Sequence, residues 1–427
     1  MGVFLAILFI AFIALGVPIS FALGAVSFTG IALLDGIPNM VVFTKMFNGL
    51  GSFTLLAVPL FILAANLMNE GSISDRLINV SSAIVGHFRG GLAHSNIIVS
   101  MIFAGISGSS QADTAGIGKV LIPAMVNQGY DKETAVGVTA ASSTLGSIIP
   151  PSIIMVVYAG VANVSTGGLF MTGILPGVLL GLAQMGVIFS KRSKFPKGER
   201  LPLGEVMKRI GEALPALITP VLLIGGIVSG FFTPTEAAAI ACIYALCISF
   251  FFYHSIKIKD LPRILIETMK LSSLSLFALA TACALGELLS YYRLNEAVQG
   301  FFTSIPGGSM IFLLVVVIFF LFVGTFMDAV PAIILFSPIV LPSALALGIS
   351  PIILGLIIVI TLSLGLVTPP YGLCLLLSAS IGGLTIERAF KGVLPYLLVS
   401  LAVLLILVLF PDFFLAVPKL LFPKLYA

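Results

Sequence analysis

Charged residues are scarce in this chain: only 9% of its 427 residues are Asp, Glu, Lys or Arg, whereas 59% are hydrophobic. This scarcity excludes an ordinary water-soluble protein, because so little polar surface cannot cover an apolar interior in water. The charges lie mostly between apolar stretches of roughly 17–25 residues, each long enough to cross a bilayer. The sequence therefore predicts an all-α polytopic membrane protein, with on the order of ten passes and no soluble domain.

Three further absences narrow the function. No metal-type spacing relates the four cysteines, which lie within apolar runs at positions 242, 247, 283 and 374. No G-x-x-x-x-G-K-[ST] motif occurs, which excludes ATP hydrolysis by this chain. The first apolar run, residues 3–34, lacks a positive n-region and a small-residue cleavage site, so we interpret it as retained membrane helices rather than a signal peptide.

An internal repeat organises the chain. Shifting the sequence against itself by 219 positions, without a gap, places glycine on glycine and proline on proline along residues 105–176. The aligned pairs are Gly105 with Gly324, Pro123 with Pro342, Gly129 with Gly348, Gly146 with Gly365, Pro150 and Pro151 with Pro369 and Pro370, Gly173 with Gly392, and Pro176 with Pro395. Glycine and proline determine backbone shape, so the path of the chain repeats. This predicts two related halves, residues 1–190 and 214–427.

Basic residues indicate how the halves are oriented. The segment 191–213 between them is rich in lysine and arginine, and the positive-inside rule makes it a cytoplasmic linker. From this linker, a predicted helix at about 214–232 crosses the membrane to the outside, and a second at about 237–253 returns to the cytoplasm. A third, at about 264–290, crosses to the outside again. Both halves satisfy the charge rule only if one is inverted relative to the other. The sequence therefore predicts an inverted-topology repeat, which is typical of many secondary transporters.

Each half contains two elements that ordinary membrane helices avoid. The first is a pair of short apolar runs joined by a polar turn, at 107–114 and at 324–331. These runs predict re-entrant hairpins with tips near mid-membrane. The second is a helix broken by a proline pair, at 150–151 and at 369–370. Two prolines leave helical carbonyls without donors, which is unfavourable in hydrocarbon unless something binds them.

These four elements predict sodium sites that repeat in the two halves. Carbonyls of an unwound helix and hydroxyls at a hairpin tip are ligands that a hard cation prefers, and helix N-termini attract an anion. The candidate sodium ligands are Ser109, Ser110, Asp113, Ser142, Ser143, Thr144, Gly146, Gly324, Thr325, Ser363, Gly365 and Thr368. The alternative is that the hydroxyls only bond to carbonyls of their own helices and that the prolines only kink those helices.

Asp113 and Asp328 are the two acids that the hairpin prediction places near mid-membrane, where an ionisable residue indicates function by default. Asp328 follows an apolar run with no basic neighbour, which favours contact with substrate or ion. Asp113 lies six positions before Lys119, so an ion pair between them is an alternative to ion binding. A cap for the second hairpin helix is another.

At these residues the sequence resembles the large membrane subunit of the tripartite ATP-independent periplasmic (TRAP) transporters. The likeness covers nearly the whole chain, and the matching stretches include GISGSSQADTA at 105–115, SIIPPS at 147–152, TPTEAA at 233–238 and LVTPPYG at 366–372. The resemblance implies a sodium-coupled elevator mechanism in the bacterial inner membrane, with hairpins and broken helices moving as one transport domain. It also implies a separate small four-helix membrane subunit and a periplasmic binding protein. It implies no enzymatic activity, no nucleic-acid partner, and no cofactor beyond Na⁺ as the coupling ion.

The resemblance also implies a substrate class and contact residues. The family's substrates are carboxylates, and general likeness ranks sialic acid first and a C4-dicarboxylate second. By position, Ser107, Ser152 and Asp328 look like substrate-contacting residues. Glu236 and Arg293, which the charge rule independently places outside, look like contacts for the binding protein.

Two other functions compete with transport. An ion or anion channel would show a current that neither saturates nor requires sodium, whereas a transporter would show sodium-dependent counterflow. The G-x-S-G at 105–108 also matches intramembrane serine proteases, which need a histidine within hydrogen-bond reach of the serine. His94 lies on the same segment and His254 near a predicted surface, so neither is well placed.

Overall fold

The computed structural model of the chain describes residues 2–34, 36–51, 53–198, 200–293, 296, 300, 308–423 and 426. Helices dominate these residues, which confirms the all-α prediction. Six helical segments are long and apolar enough to cross a membrane: Thr166–Ser190, Leu203–Val228, Pro234–Phe252, Ile258–Tyr291, Ala329–Ala346 and Ile386–Leu409. The other apolar helices are shorter, as expected of hairpins and broken helices.

The first half begins with helices α1 to α5, which are Gly2–Ala14, Ile19–Ala32, Met40–Leu50, Ala57–Glu70 and Ile73–Val85. Hairpin 1 is formed by α6 (Gly91–Ser107) and α7 (Ser110–Asn127). The first broken helix consists of α8 (Lys132–Ser143) and α9 (Ile153–Ala162), and α10 (Thr166–Ser190) closes this half.

The second half begins with α11 (Leu203–Val228), α12 (Pro234–Cys247) and α13 (Leu261–Tyr291). Hairpin 2 is formed by α14 (Gly308–Gly324) and α15 (Ala329–Ala346). The second broken helix consists of α16 (Pro351–Gly365) and α17 (Leu373–Gly382), followed by α18 (Ile386–Leu409) and α19 (Pro411–Leu421).

The sequence offset of 219 also relates the helix bounds of the two halves. Adding it to both bounds of α7 gives both bounds of α15. Adding it to the first residue of α8 gives the first residue of α16, and adding it to the last residue of α10 gives the last residue of α18. The pattern of glycines and prolines therefore marks a repeat of structure.

Contacts between the halves show that one half is inverted. The Arg388 guanidinium, near the start of α18, donates to the Glu133 carboxylate, near the start of α8. α18 therefore begins where α8 begins. In contrast, α10 follows α9 after a connection of three residues and runs back along the broken helix, so that Gln184 donates to the Ala141 carbonyl at 3.2 Å. α10 and α18 are repeat equivalents that run in opposite directions, as an inverted-topology repeat requires.

Basic residues mark one end of these helices as cytoplasmic. Arg263 at the start of α13 pairs with Glu70 at the end of α4, with 2.6 Å between nitrogen and oxygen. The basic segment after α10 meets the connection between α5 and α6, where the Gly90 amide donates to the Pro196 carbonyl at 3.1 Å. The positive-inside rule places this lysine- and arginine-rich side in the cytoplasm.

The helices form two packed groups. α2, α3, α4, α5, α11, α12 and α13 pack mainly on one another, and we call them the scaffold group. The hairpins, the broken helices, α10 and α18 form the transport group. The groups meet closely at two glycines, because a Cβ on Gly105 would lie 2.9 Å from Pro220 and one on Gly116 would lie 2.6 Å from Asn69.

One boundary differs from the sequence prediction. α11 begins at Leu203, so the later part of the predicted linker 191–213 is helical. Pro202 precedes this helix, and Arg209 pairs with Glu205 one turn earlier at 3.1 Å. These polar first turns do not need hydrocarbon around them, so the helix extends beyond its apolar stretch. Hydropathy marks only the part of a helix inside the bilayer.

Candidate functional site

Hairpin 1 turns through two residues and is fastened to the first broken helix. α6 ends at Ser107, Gly108 has φ of +61°, and Ser109 caps α7 with its hydroxyl. A Cβ on Gly108 would lie 2.6 Å from the Pro151 carbonyl oxygen, so glycine is required by space as well as by φ. The Ile153 amide donates to the Gly108 carbonyl at 3.1 Å, which ties the tip to the break.

Both hairpin tips rest on a glycine of their own broken helix. A Cβ on Gly146 would lie 3.1 Å from the Ser109 backbone, and one on Gly365 would lie 2.7 Å from the Gly324 backbone. Gly146 and Gly365 are repeat equivalents, so the same close approach occurs in both halves. These predicted site glycines therefore set the distance between tip and break.

A chain of buried hydroxyls joins the two halves. The hydroxyl of Ser110 at tip 1 lies 2.7 Å from that of Ser147 at the first break. Ser147 in turn lies 2.7 Å from the hydroxyl of Ser363 on α16. Ser110 and Ser363 are predicted ligands, whereas sequence reasoning did not select Ser147. Its repeat equivalent is Leu366, so symmetry gave no signal, although its place three residues before the proline pair did.

The two hairpin tips also meet directly. The Gln111 side-chain amide donates to an Asp328 carboxylate oxygen at 3.3 Å, and both residues are half-buried. Nearby, the Tyr371 amide donates to the Thr325 carbonyl at 2.9 Å, which fastens tip 2 to the second break. Asp328 therefore lies at an accessible mouth between the tips. Gln111 was missed because its repeat equivalent, Val330, is apolar.

Asp113 has a different environment. It is fully buried, and neither of its carboxylate oxygens has a hydrogen-bond partner. Ser100 and Ser143 lie beside it, while Lys119 is exposed and forms no ion pair with it among the described residues. Ser109, not Asp113, caps α7. A buried carboxylate without well-placed donors is costly, so Asp113 is the strongest candidate cation ligand among the described residues.

Polar side chains on α6 support the Asp113 environment. The Ser100 hydroxyl donates to the Ser142 hydroxyl at 3.0 Å, and Ser142 donates to the Asn96 side-chain carbonyl at 3.2 Å. The Asn96 amide donates to the Thr139 hydroxyl at 2.6 Å. Sequence reasoning did not select Asn96 or Ser100. Their four-residue spacing on an apolar helix was the available signal, because it puts two polar groups on one face.

Several predicted ligand hydroxyls donate to carbonyls of their own helices. They are Ser143, Thr144, Thr325, Ser363 and Thr368. For the hydrogens of these hydroxyls, the alternative interpretation is therefore correct: they bond to carbonyls of their own helices. A hydroxyl has one proton and two lone pairs, so donation inward leaves oxygen lone pairs for a cation. Internal bonding is thus compatible with ion binding.

Of the predicted substrate residues, Ser107 is the last residue of α6 at tip 1, and Ser152 is the N-cap of α9. Both are fully buried. Ser107 accepts from the Ser109 amide at 3.4 Å, and Ser152 caps α9 while donating to the Ser147 carbonyl at 2.6 Å. Because tip 1 is tied to Ile153, the N-termini of α7 and α9 converge here. Converging helix N-termini favour an anion.

Comparison with known proteins identifies the family. Residues 6–413 match the family model described as the tripartite ATP-independent periplasmic transporter, DctM component. The chain belongs to this TRAP permease family. It is 38% identical over 377 residues to the C4-dicarboxylate TRAP transporter large permease protein DctM of Pseudomonas aeruginosa, covering 88% of each chain. It is 35% identical over 410 residues to the sialic acid TRAP transporter large permease protein SiaM of Vibrio cholerae, covering 95% of each.

The fold also resembles that of a solved transporter of low sequence identity. The YdaH transporter of Alcanivorax borkumensis superposes with a TM-score of 0.62 at 16% identity, over 96% of this chain and 98% of that one. The likeness concerns the fold alone. With the family assignment, it confirms a polytopic inner-membrane permease subunit of TRAP type that is not an enzyme.

Histidine positions in the TRAP permease agree with the absence of protease chemistry. Ser107 and His94 lie on the same helix, α6, thirteen residues apart, which separates them by about 20 Å along the axis. His254 is exposed, and its ring bonds to the Phe250 carbonyl at 2.6 Å. Neither histidine is within reach to activate the serine.

The predicted contacts for a binding protein lie at the end opposite the cytoplasmic one. Arg293 is exposed just after α13, whose first residues carry the cytoplasmic Arg263. Glu236 is exposed in the first turn of α12, where Thr233 donates to its carboxylate through the amide at 2.8 Å and through the hydroxyl at 2.9 Å. Glu236 thus belongs to a capping box, which the T-x-x-E pattern signals and which sequence reasoning overlooked.

Proposed function

We propose that this TRAP permease takes up a small organic carboxylate in symport with sodium. The observation that carries the proposal is Asp113, a buried carboxylate whose oxygens form no hydrogen bond of good geometry, with only the hydroxyls of Ser100 and Ser143 recorded beside it. It lies in the first turns of α7, between hairpin 1 and the first broken helix. The transport group carries this site, and its movement against the scaffold group carries ion and substrate across.

Sodium suits the Asp113 environment better than a proton does. A protonated carboxyl can donate one hydrogen bond to a neighbouring hydroxyl oxygen, which satisfies only one of its two oxygens. A bound cation attracts both oxygens and also accepts lone pairs from neighbouring hydroxyls. Each sodium that moves through 100 mV supplies about 2.3 kcal/mol before any concentration gradient is counted.

The geometry of the tips favours a carboxylate that also carries hydroxyl groups. The converging N-termini of α7 and α9 attract the carboxylate, while Asp328 at the mouth accepts from a hydroxyl. A second carboxylate would be repelled by Asp328, so we rank sialic acid above a C4-dicarboxylate. Relatives are named for both substrates, so their identities alone do not separate the two.

The permease works in this proposal with two partners. The family's description names a tripartite periplasmic transporter, which supports a small four-helix membrane subunit on a separate chain and a periplasmic binding protein. Large apolar side chains remain exposed on α3 and α13, for example Phe47 and Leu274. Such a surface needs lipid or a membrane partner around it.

Uptake in proteoliposomes tests the proposal, with the binding protein added outside. We expect uptake that stops when choline replaces sodium, and an Asp113→Asn variant whose sodium requirement rises by at least about tenfold, because the amide is neutral. Asp75→Asn is the matched control, since Asp75 is exposed in the first turn of α5. Full uptake in sodium-free buffer, driven by a proton gradient, would refute the coupling.

A further inference from the structure

A cavity of about 670 Å³ lies apart from the hairpin tips, at the cytoplasmic end of the permease. Its walls come from the end of α5, the connection 86–90, the start of α6 and the end of α10. That connection joins the scaffold group to hairpin 1. No part of the proposed ion and substrate site lines this cavity.

Two arginines stand at the mouth of the cavity. Arg89 and Arg192 line it and are exposed. The six ion pairs between described residues include neither of them. The Arg192 guanidinium instead lies over the Phe189 ring, 4.6 Å from its centroid. Two arginines that line one cavity and pair with no acid among the described residues attract a phosphate.

The remaining walls of the cavity are largely apolar. Phe88 and Phe189 line it and are 54% and 60% exposed, and Val85 and Met185 complete this surface. Exposed phenylalanine rings need an apolar covering, and the arginines beside them, at the cytoplasmic boundary, put this surface where lipid chains and headgroups meet. A purely soluble anion would leave these rings uncovered.

A buried polar atom also faces this cavity. His94 lines it, is only 8% exposed, and its Nδ1 has no hydrogen-bond partner. A buried ring nitrogen without a partner is costly, so a polar group of an occupant is the natural partner. The cavity therefore offers a cationic mouth, an apolar wall and one unpaired polar group.

We propose that this cavity binds an anionic glycerophospholipid of the inner leaflet. The phosphate lies between Arg89 and Arg192, an acyl chain runs along Phe189 and Met185, and a polar headgroup or ester atom meets His94. The negative surface of the cytoplasmic leaflet enriches such lipids beside basic segments. The bound lipid rests on the joint between the scaffold group and hairpin 1, independently of which substrate is carried.

Lipid binding is tested on the full chain purified in detergent. Native mass spectrometry follows a titration with dioleoylphosphatidylglycerol for the parent and for an Arg89→Gln, Arg192→Gln double variant. We expect the double variant to need at least about tenfold more lipid for half-saturation. The matched control is Lys191→Gln, Lys194→Gln, which removes the same charge from exposed residues of the same segment that do not line the cavity. The control should bind as the parent does.

A single variant tests the same cavity without removing its arginines. Phe189→Glu places a carboxylate on the wall, where it should repel the lipid phosphate and weaken binding by at least about tenfold. If the arginine double variant elutes as aggregate on size exclusion, lipid binding by Phe189→Glu becomes the test of the proposal. Equal loss of binding in the lysine control, or parent-like binding in both cavity variants, would overturn the proposal. So would displacement of the lipid by glycerol 3-phosphate, because the site would then take a soluble phosphate.

Discussion

Two carboxylates at the hairpins have unlike surroundings, although the chain is a repeat. Asp113 is fully buried, and its carboxylate oxygens form no hydrogen bond of good geometry, whereas Asp328 is half-buried and accepts from the Gln111 amide. Their repeat equivalents are Ala332 and Ser109, so the symmetry of the backbone does not extend to these charges. The same chain path therefore carries two chemically different sites. The unequal pair favours ion binding at Asp113 and substrate binding at Asp328.

Asp328→Ala should lower uptake by at least about tenfold, the loss of roughly 1.4 kcal/mol, because the variant removes the acceptor at the mouth. Folding should persist, since the lost side chain is half-buried and its contacts with the Gln111 side chain and the Ala329 amide can be replaced by water. Uptake in proteoliposomes and elution on size exclusion measure the two effects.

Asp328→Asn separates two roles, because an amide still bonds a hydroxyl but is a weaker sodium ligand. Retained uptake with unchanged sodium dependence assigns Asp328 to substrate, and a raised sodium requirement assigns it to the ion. Parent-level uptake in the alanine variant would contradict both roles.

Charge at Glu236 is best tested with Glu236→Gln. Reversal to arginine would also break the capping box with Thr233, at a cost of about 1 kcal/mol, and so confuse docking with stability. Glutamine keeps an acceptor for Thr233 and removes only the charge. We expect slower uptake with the binding protein at low salt and a smaller dependence of uptake on ionic strength, because rim charges set association rates.

Arg293→Glu tests the same face of the permease. Parent-like uptake in either variant would mean that the changed residue does not contact the binding protein.

At the scale of helices, the sequence predicted the path of the chain well. The glycine and proline offset located both hairpins and both breaks, because those residues constrain the backbone wherever they occur. The start of α11 at Leu203 was missed, since hydropathy does not register polar first turns. The contact between Ser147 and Ser363 could not be predicted from the sequence either, because it joins residues 216 positions apart and has no counterpart in the repeat.

Gly365→Ala tests the close approach of tip 2 to its broken helix. The added Cβ would lie 2.7 Å from the Gly324 backbone, so tip or helix must shift, at a cost of about 1–3 kcal/mol. We expect a lower unfolding temperature and reduced uptake. Gly186→Ala is the matched control, because no atom lies within 4 Å of its added Cβ. That helical substitution should be neutral or stabilising by up to about 1 kcal/mol, and equal effects of the two changes would argue against the steric role.

At the scale of the whole molecule, the scaffold and transport groups meet without charge pairing. Each ion pair between described residues lies within one group, as in Glu133 with Arg388 or Glu70 with Arg263. Two of the close contacts across the boundary are made by Gly105 and Gly116, whose missing side chains let the backbones approach closely. Such an interface has few directional bonds to break when one group moves past the other.

A cross-link between the groups should stop transport if one group slides on the other. Asn69→Cys with Gly116→Cys joins α4 of the scaffold group to α7 of hairpin 1, at a point where the parent side chain and backbone already touch. The native cysteines at 242, 247, 283 and 374 are replaced first. We expect uptake to fall to background with a mercury bridge and to recover with excess thiol. Undiminished uptake in the bridged protein would exclude sliding at this contact.

The hydroxyl chain from Ser110 through Ser147 to Ser363 has a consequence for synthesis of the protein. Ser147 enters the membrane long before its partner exists, because 216 residues separate it from Ser363. At about 5–20 residues per second, that gap lasts on the order of ten to forty seconds. During this interval the Ser147 hydroxyl lacks its partner from the second half, so the polar side chains at tip 1 depend on hydrogen bonds within the first half until translation ends.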